Sequence, residues 1–285
     1  TLGFENLSLS EINAYYKKTM QRLPLLDNNT KINVANSVWY SAGLAVGPAF
    51  LQTSKDSFSA EVAALDFEDA HSIDIVNDWV KGKTNQMIPQ IIDHIDPSEV
   101  MLLINAVYFQ GAWNTKFDKA KTRKDEFIVS GSKVVAVDMM SIEESFNVQQ
   151  TADYIAIHVP YSNNKFEMVL VKPQDNSNIA TIYKALVSSV SPILEGSLNK
   201  TKVKLFLPKF KVSYEASFKR TLQALGIDLA FQGAADFSRI NEEAVLRISD
   251  VRHKALFVVS EEGTEASAST GVVLETTNLE PSLLE

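Results

Sequence analysis

The chain contains no cysteine, which excludes a disulfide framework and thiolate metal sites and leaves both reducing and oxidising compartments open. It has no long apolar run either. The longest, Val100 to Phe109, is interrupted by Asn105 and falls well short of the ~18 residues that signal a membrane span. Blocks of one charge are also missing: 35 acidic and 27 basic residues interleave to a net charge of −8. That balance gives no attraction to nucleic acid or to an anionic membrane, and neither is expected as a partner. The opening Thr1-Leu2-Gly3-Phe4 lacks a basic start followed by an apolar stretch, so a signal peptide is expected to be absent or already removed, and export stays open.

Enzyme chemistry finds little to stand on. There is no Gly-x-Ser-x-Gly nucleophile elbow and no cysteine nucleophile. Gly82-Lys83-Thr84 matches the end of a phosphate-binding loop, but Asn77 stands where that loop needs glycine, and a helix end explains the triplet better. The four histidines, His71, His94, His158 and His253, include no i, i+4 pair for a helical metal site, so no metal or other cofactor is expected. Lys17, Lys18 and Arg22 could suggest a sulfated-glycan site on a first helix, but lysine-rich solvated faces are ordinary. Asn28-Asn29-Thr30 and Asn199-Lys200-Thr201 fit the glycosylation pattern, which arises often by chance.

At 285 residues and 45% hydrophobic, the chain has enough apolar surface for a sizeable core. Ser8 reads as the N-cap of a helix to Arg22, with Glu11 completing a capping box. The pattern then predicts a strand over Lys31–Tyr40, a helix over Leu44–Phe58, a strand over Val62–Phe67 and a helix over Ile73–Thr84. Val100–Tyr108 reads as a strand buried on both faces of a large sheet. Strands are expected at Phe127–Val129, Val134–Val137, Tyr154–Ile157, Phe166–Val171, Val203–Leu207, Val245–Ile248 and Val251–Val259. Helices are expected over Ile179–Leu194 and Phe218–Leu225, the second closed by Gly226. Strands and helices interleave without a regular βαβ beat, so the class is α+β, in one domain built around a large sheet.

From Thr264 the residues alternate cleanly. Thr264, Ala266, Ala268, Thr270, Val272, Leu274 and Thr276 would share one face of a strand, and Glu265, Ser267, Ser269, Gly271, Val273 and Glu275 the other. Yet Ala, Ser and Gly are weak strand formers, so the segment suits either a strand or a loop. Its small side chains, with no proline before Pro281, would let it slip between two strands already in place. Glu261-Glu262-Gly263 makes a turn back against the preceding strand.

The block Glu261-Glu262-Gly263-Thr264-Glu265-Ala266-Ser267-Ala268 resembles the hinge of the inhibitory serpins. Asn105-Ala106-Val107-Tyr108-Phe109-Gln110-Gly111-Ala112-Trp113 with Phe117 is similar to that family's signature along the central strand. Further similar blocks are Asn77-Asp78-Trp79-Val80 with Thr84-Asn85, Leu207-Pro208-Lys209-Phe210, Ala235-Asp236-Phe237-Ser238 and Ile248-Ser249-Asp250 before His253-Lys254-Ala255. Gln110 stands where lysine is usual, and Asp138 where proline is common. The general flavour is similar to bacterial members.

The resemblance implies a serpin fold with a large, mostly antiparallel sheet A, sheets B and C, surrounding helices and a mobile reactive loop. It places the whole of 1–285 in one serpin domain, with hinge and reactive loop at 261–285 and further family segments expected before Thr1 and after Glu285. It implies a suicide inhibitor of serine proteases, not an enzyme, that traps an acyl-enzyme covalently and inserts its cleaved loop into sheet A. The scissile bond falls near Thr277-Asn278, and Asn105 and His253 join a cluster controlling sheet opening. No Lys or Arg occurs between Ala266 and Glu285, which favours elastase-, subtilisin- or chymotrypsin-like targets over trypsin-like ones. Cysteine proteases are a second target class. The implied state is a monomer able to polymerise, acting outside the cell, at its surface or in a periplasm. The alternative is a non-inhibitory member serving as carrier, chaperone or structural protein.

Overall fold

The structure is a computed structural model that describes residues 4 and 6–264, apart from 97–98, 131–132, 175–178, 189–192, 195, 244 and 249–250. In chain order its elements are α1 (Leu9–Arg22), β1 (Thr30–Ser41), α2 (Pro48–Phe58), β2 (Ala60–Leu65), α3 (His71–Lys83), β3 (Met101–Ala112), β4 (Arg123–Ser130), β5 (Lys133–Gln150), β6 (Tyr154–Pro160) and β7 (Glu167–Pro173). There follow α4 (Ile179–Ser188), β8 (Asn199–Pro208), β9 (Phe210–Ser217), α5 (Lys219–Ala224), β10 (Arg252–Ser260) and β11 (Gly263–Thr264). Backbone hydrogen bonds order six strands as β2-β1-β3-β11-β10-β9, with β3 also pairing β10, and five as β4-β5-β6-β7 with β8 on β5. The chain divides into two compact units, Thr1–Gln110 with Ser213–Leu256, and Gly111–Val212 with Phe257–Glu285.

In the first unit α1 starts where its capping box predicts. The Ser8 hydroxyl accepts from the Glu11 N–H at 3.3 Å, and the Glu11 carboxylate accepts from the Ser8 N–H at 2.8 Å, so two orphan donors of the first turn are satisfied reciprocally. α2 begins at Pro48 rather than Leu44. Proline fits the first helical position but disfavours helix in the residue before it, which sets the boundary at Gly47. α3 turns Ser72, Val76 and Val80 inward at helical spacing, against a core that includes Trp39, Ile88, Ile92, Ile104 and Ala106. Asn77 fastens the following chain: its Oδ1 accepts from the Ile91 and Ile92 N–H groups, and its Nδ2 donates to the Ile92 carbonyl.

β3 is interior in the strand order, as its apolar run predicts, but it is not buried on both faces. Leu102, Ile104, Ala106 and Tyr108 are buried while Val107 between them is exposed, the alternation of a sheet with one covered face. β1 and β2 run parallel from Asn36↔Ala60 to Ser41↔Leu65, and β3 and β10 run parallel from Ile104↔Arg252 to Val107↔Ala255. The larger sheet is therefore mixed. Val245–Ile248 is not a strand: Val245 points to solvent and Leu246 is buried, and Ile248 donates its N–H to Ala230 instead of joining a ladder.

In the second unit a single five-stranded antiparallel sheet stands where the resemblance implied two. The cause is β5, 18 residues without glycine or proline, which pairs with β4 through Lys133–Met139, with β8 through Met139–Val148 and with β6 through Asn147–Gln150. Ala156 and Tyr154 on β6 bury one face against Ile182 of α4. Within the predicted Ile179–Leu194 helix, Ile179–Ser188 are helical, and so are Ile193 and Leu194.

Candidate functional site

The predicted hinge turn lies in the second unit. β10 ends at Ser260, Glu261 and Glu262 turn the chain, and Gly263 and Thr264 return antiparallel, Ser260 opposite Gly263 and Val259 opposite Thr264. On its other edge this short return strand pairs antiparallel with β3, Gly263 opposite Ala112 and Thr264 opposite Gly111. The two residues thus occupy an interior position, with a ladder on each side.

Glycine is obligatory there. Gly263 has φ of 151°, and a Cβ at this position would lie 2.0 Å from the Gly111 carbonyl oxygen and 2.7 Å from the Ala112 Cα. Both obstacles are backbone, which cannot rotate away as a side chain could. Thr264 is fully buried, and its hydroxyl meets the Tyr161 hydroxyl at 2.5 Å. Tyr161 is itself buried and lies flat on Trp113, ring centroids 4.7 Å apart and planes 10° from parallel. The Trp113 indole N–H donates to the Ser260 carbonyl at 2.8 Å, so the stack is tied to both arms of the turn. Burial pushes the Tyr161 hydroxyl up to about 12, against a smaller opposing effect of the Thr264 bond.

The two glutamates of the turn play different parts. Glu261 is buried; one carboxylate oxygen accepts from the Thr122 hydroxyl at 2.8 Å, and the other pairs with the Lys209 ammonium at 3.0 Å. Burial pushes its carboxyl up, but its own backbone N–H, Thr122 and Lys209 together hold it below the ordinary value. Glu262 is more open and carries two cations, Lys116 at 2.6 Å and Lys119 at 3.0 Å. Lys116 first and Lys119 second hold its carboxyl below the ordinary value. The carbonyls of the turn are used as well: Trp113 donates to Glu262 and Phe117 to Glu261, both at 3.0 Å.

The expected sheet-opening pair lies in the first unit. Asn105 on β3 and His253 on β10 are direct register partners. The Asn105 amide donates to the Asn36 side-chain carbonyl at 2.9 Å, and His253 stacks on Phe218 at 5.1 Å. Neighbours in register, they take separate side-chain partners. Glu265, Ala266, Ser267, Ala268, Thr277 and Asn278 lie outside the described residues.

Sequence reasoning missed Tyr161, Thr122, Lys116 and Lys119 as parts of this site. The available signal was charge: two adjacent acids at the turn require cations, but several lysines could serve and only the fold selects among them. Among the described residues no group of His, Cys, Asp or Glu could hold a metal ion.

A family model described as Serpin (serine protease inhibitor) matches residues 1–284. Iripin-2 of Ixodes ricinus is 35% identical over 288 residues, covering 98% of this chain and 72% of that protein. Among solved structures, the native thermophilic serpin Tengpin superposes with a TM-score of 0.84 at 32% identity, covering 97% of this chain and 72% of that one. Human thyroxine-binding globulin superposes with a TM-score of 0.86 at 25% identity, covering 94% and 72%. Tick and human proteins stand among these likenesses, which do not single out the bacterial affinity expected from the sequence.

Proposed function

The chain belongs to the serpin family, and on that premise we propose that it inhibits serine proteases by offering the segment after Thr264 as bait and inserting it, once cut, between β3 and β10. In such a cycle the protease serine attacks a loop carbonyl and the new amino end departs. The ester-linked loop must then enter the sheet before water cleaves the ester. Insertion adds one strand antiparallel to both neighbours, a form of β-strand addition for which serpin loop insertion is itself an established example. Each added backbone bond contributes about 0.5–1.5 kcal/mol net.

The observation that supports this reading most is the placement of Gly263 and Thr264 with ladders to β3 and β10 on either side. These two residues are the first step of the proposed insertion. The inward face that follows, Ala266 and Ala268, brings no bulk or charge to obstruct the next steps. The absence of Lys and Arg from 266–285 supports elastase-, subtilisin- or chymotrypsin-like targets. Cysteine proteases as further targets, a monomer able to polymerise, and action outside the cell or in a periplasm belong to the same proposal and rest on the family alone.

The decisive test incubates full-length protein with pancreatic elastase and with subtilisin, read by denaturing gel and by mass of the released peptide. A covalent complex with cleavage near Thr277 is expected. Clean cleavage by every protease, with no complex, would overturn the proposal in favour of a non-inhibitory carrier, the reading that the likeness to thyroxine-binding globulin favours. Thr264→Arg supplies the control for mechanism. A charge at this fully buried position should block insertion and turn inhibitor into substrate, and unchanged inhibition would remove insertion from the account.

A further inference from the structure

The ladders on either side of β11 are in phase. Thr264 sits between Gly111 on β3 and Val259 on β10, and Gly263 between Ala112 and Ser260. The numerical offset between these flanking residues is the one that relates Asn105 to His253 and Val107 to Ala255, where β3 and β10 pair directly. A chain advancing past Thr264 therefore needs the two strands to part but not to slide, and each new residue enters between residues that are now partners. Continuing both ladders puts Ala268 between Val107 and Ala255, Val272 between Leu103 and Val251, and Leu274 beside Met101. Opposite residues of a ladder share a face, so the inward set that starts at Thr264 follows the odd-numbered residues of β3. That face is opposite to Leu102, Ile104 and Ala106, which share a core cluster with Val76 and Val80 of α3.

Met101, Leu103 and Asn105 of this face line a cavity of about 380 Å³ within the first unit, together with Val251, Phe237, and Phe50 and Phe58 of α2. Its amides are already committed: Asn105 donates to the Asn36 side-chain carbonyl, and Asn36 to the Phe58 carbonyl. The Ser37 hydroxyl accepts from the Trp39 indole. Arg247, the one charged residue among the described lining, is exposed. The walls call for an apolar occupant.

We propose that this cavity is the receptor for Val272 and Leu274 of the chain's own loop, an inference that rests on the insertion reading above. Among the inward-facing residues from Thr264 to Leu274 these two are the large apolar ones; Ala266, Ala268 and Thr270 before them are small. The change in size falls where the continued register reaches the cavity. Their seven side-chain carbons need about 200 Å³ at the ~30 Å³ that a water occupies in the liquid, which the cavity holds. Because the two lie at the far end of the inserted stretch, the main apolar gain comes last and draws the strand to its full length.

The test compares Val272→Asp, Leu274→Asp and Val273→Asp in the full-length protein, each incubated with elastase and with subtilisin. Val273 lies as near the expected cut but on the outer face, so it controls for recognition by the protease. A charge carried into an apolar cavity is strongly opposed. The yield of covalent complex on denaturing gels is expected to fall about tenfold or more for Val272→Asp and Leu274→Asp, and to stay within about twofold of the wild type for Val273→Asp. In samples cut after Leu274, verified by the mass of the released peptide, the wild type and Val273→Asp should gain in Tm and the two inward variants should gain less. Equal behaviour of all three variants would overturn the assignment of the cavity while leaving insertion standing. A wild type that forms no complex and gains no Tm on cleavage would overturn insertion, and this inference with it.

Discussion

β3 has two kinds of neighbour along its length. At Ile104–Val107 it pairs directly with β10, in parallel. At Gly111–Ala112 it pairs with the antiparallel return strand Gly263–Thr264. The first region is held by backbone ladder and by separate side-chain contacts at Asn105 and His253. The second is dense in specific restraints, with an obligatory glycine, a buried hydroxyl pair, an aromatic stack and three lysines on two glutamates. Closed strands need only their ladder, whereas a strand that enters between two others needs its register fixed by side chains, because a slip of one residue would turn every side chain to the other face.

The largest effect that would break this contrast is Gly263→Val. Its Cβ would meet the Gly111 carbonyl at 2.0 Å, and β11 should be expelled. The loss of stability is expected at about 2–4 kcal/mol, measured by urea unfolding; an unchanged midpoint would contradict the described insertion.

Tyr161→Phe comes next. It leaves the buried Thr264 hydroxyl without its partner, at a cost of about 1–3 kcal/mol, seen as a lowered Tm. Burial of the same phenol gives it an alkaline signature. The folded phenol value of about 12 lies above the ordinary 10.0, so its contribution is fully present below pH 10.0 and is lost as pH rises towards about 12. The wild-type chain should lose stability over that window, and the Phe variant should lose less.

A smaller change is expected from His253→Ala, which removes the stack on Phe218 where β3 and β10 meet directly. Faster polymer formation on mild heating, followed on native gels, would support a role in keeping the strands closed; an unaltered profile would make the residue only a packing partner. The smallest effect is Glu262→Gln. Its partners Lys116 and Lys119 are more than half exposed, and such pairs contribute about 0–1 kcal/mol. Because Glu262 has a depressed folded value, its stabilisation is present above the ordinary 4.5 and is lost as pH falls below it. The variant's deficit should therefore shrink in acid and in high salt.

The turn of the hinge could be read from the chain because it depends on local sequence: Glu261-Glu262-Gly263 and the strong strand before it. The capping box at Ser8 and Glu11 was legible for the same reason. What escaped depends on distant pairing. β9 is the exception: Phe210, Val212, Tyr214 and Ala216 alternate with Lys211, Ser213, Glu215 and Ser217 in a clean period of two, yet this strand, directly after Pro208 and Lys209, passed unnoticed. β5 runs on through Glu143 and Glu144 because β8 answers them with Lys204 and Val203, cross-strand partners that no local window contains. Val245–Ile248 has β-branched residues at both ends but lacks a ladder neighbour, and propensity without a partner does not make a strand.

The chain has three tryptophans, and their distribution makes one of them an optical gauge. Trp39 and Trp79 meet edge to face, 5.8 Å apart in the first unit. Trp113 lies on Tyr161 and donates to the carbonyl of Ser260. With Trp39 and Trp79 replaced by phenylalanine, the remaining emission would come from an indole bonded to the strand that leads into the hinge. Its wavelength and lifetime would then record each departure or further advance of the loop as it happens, without any label being attached.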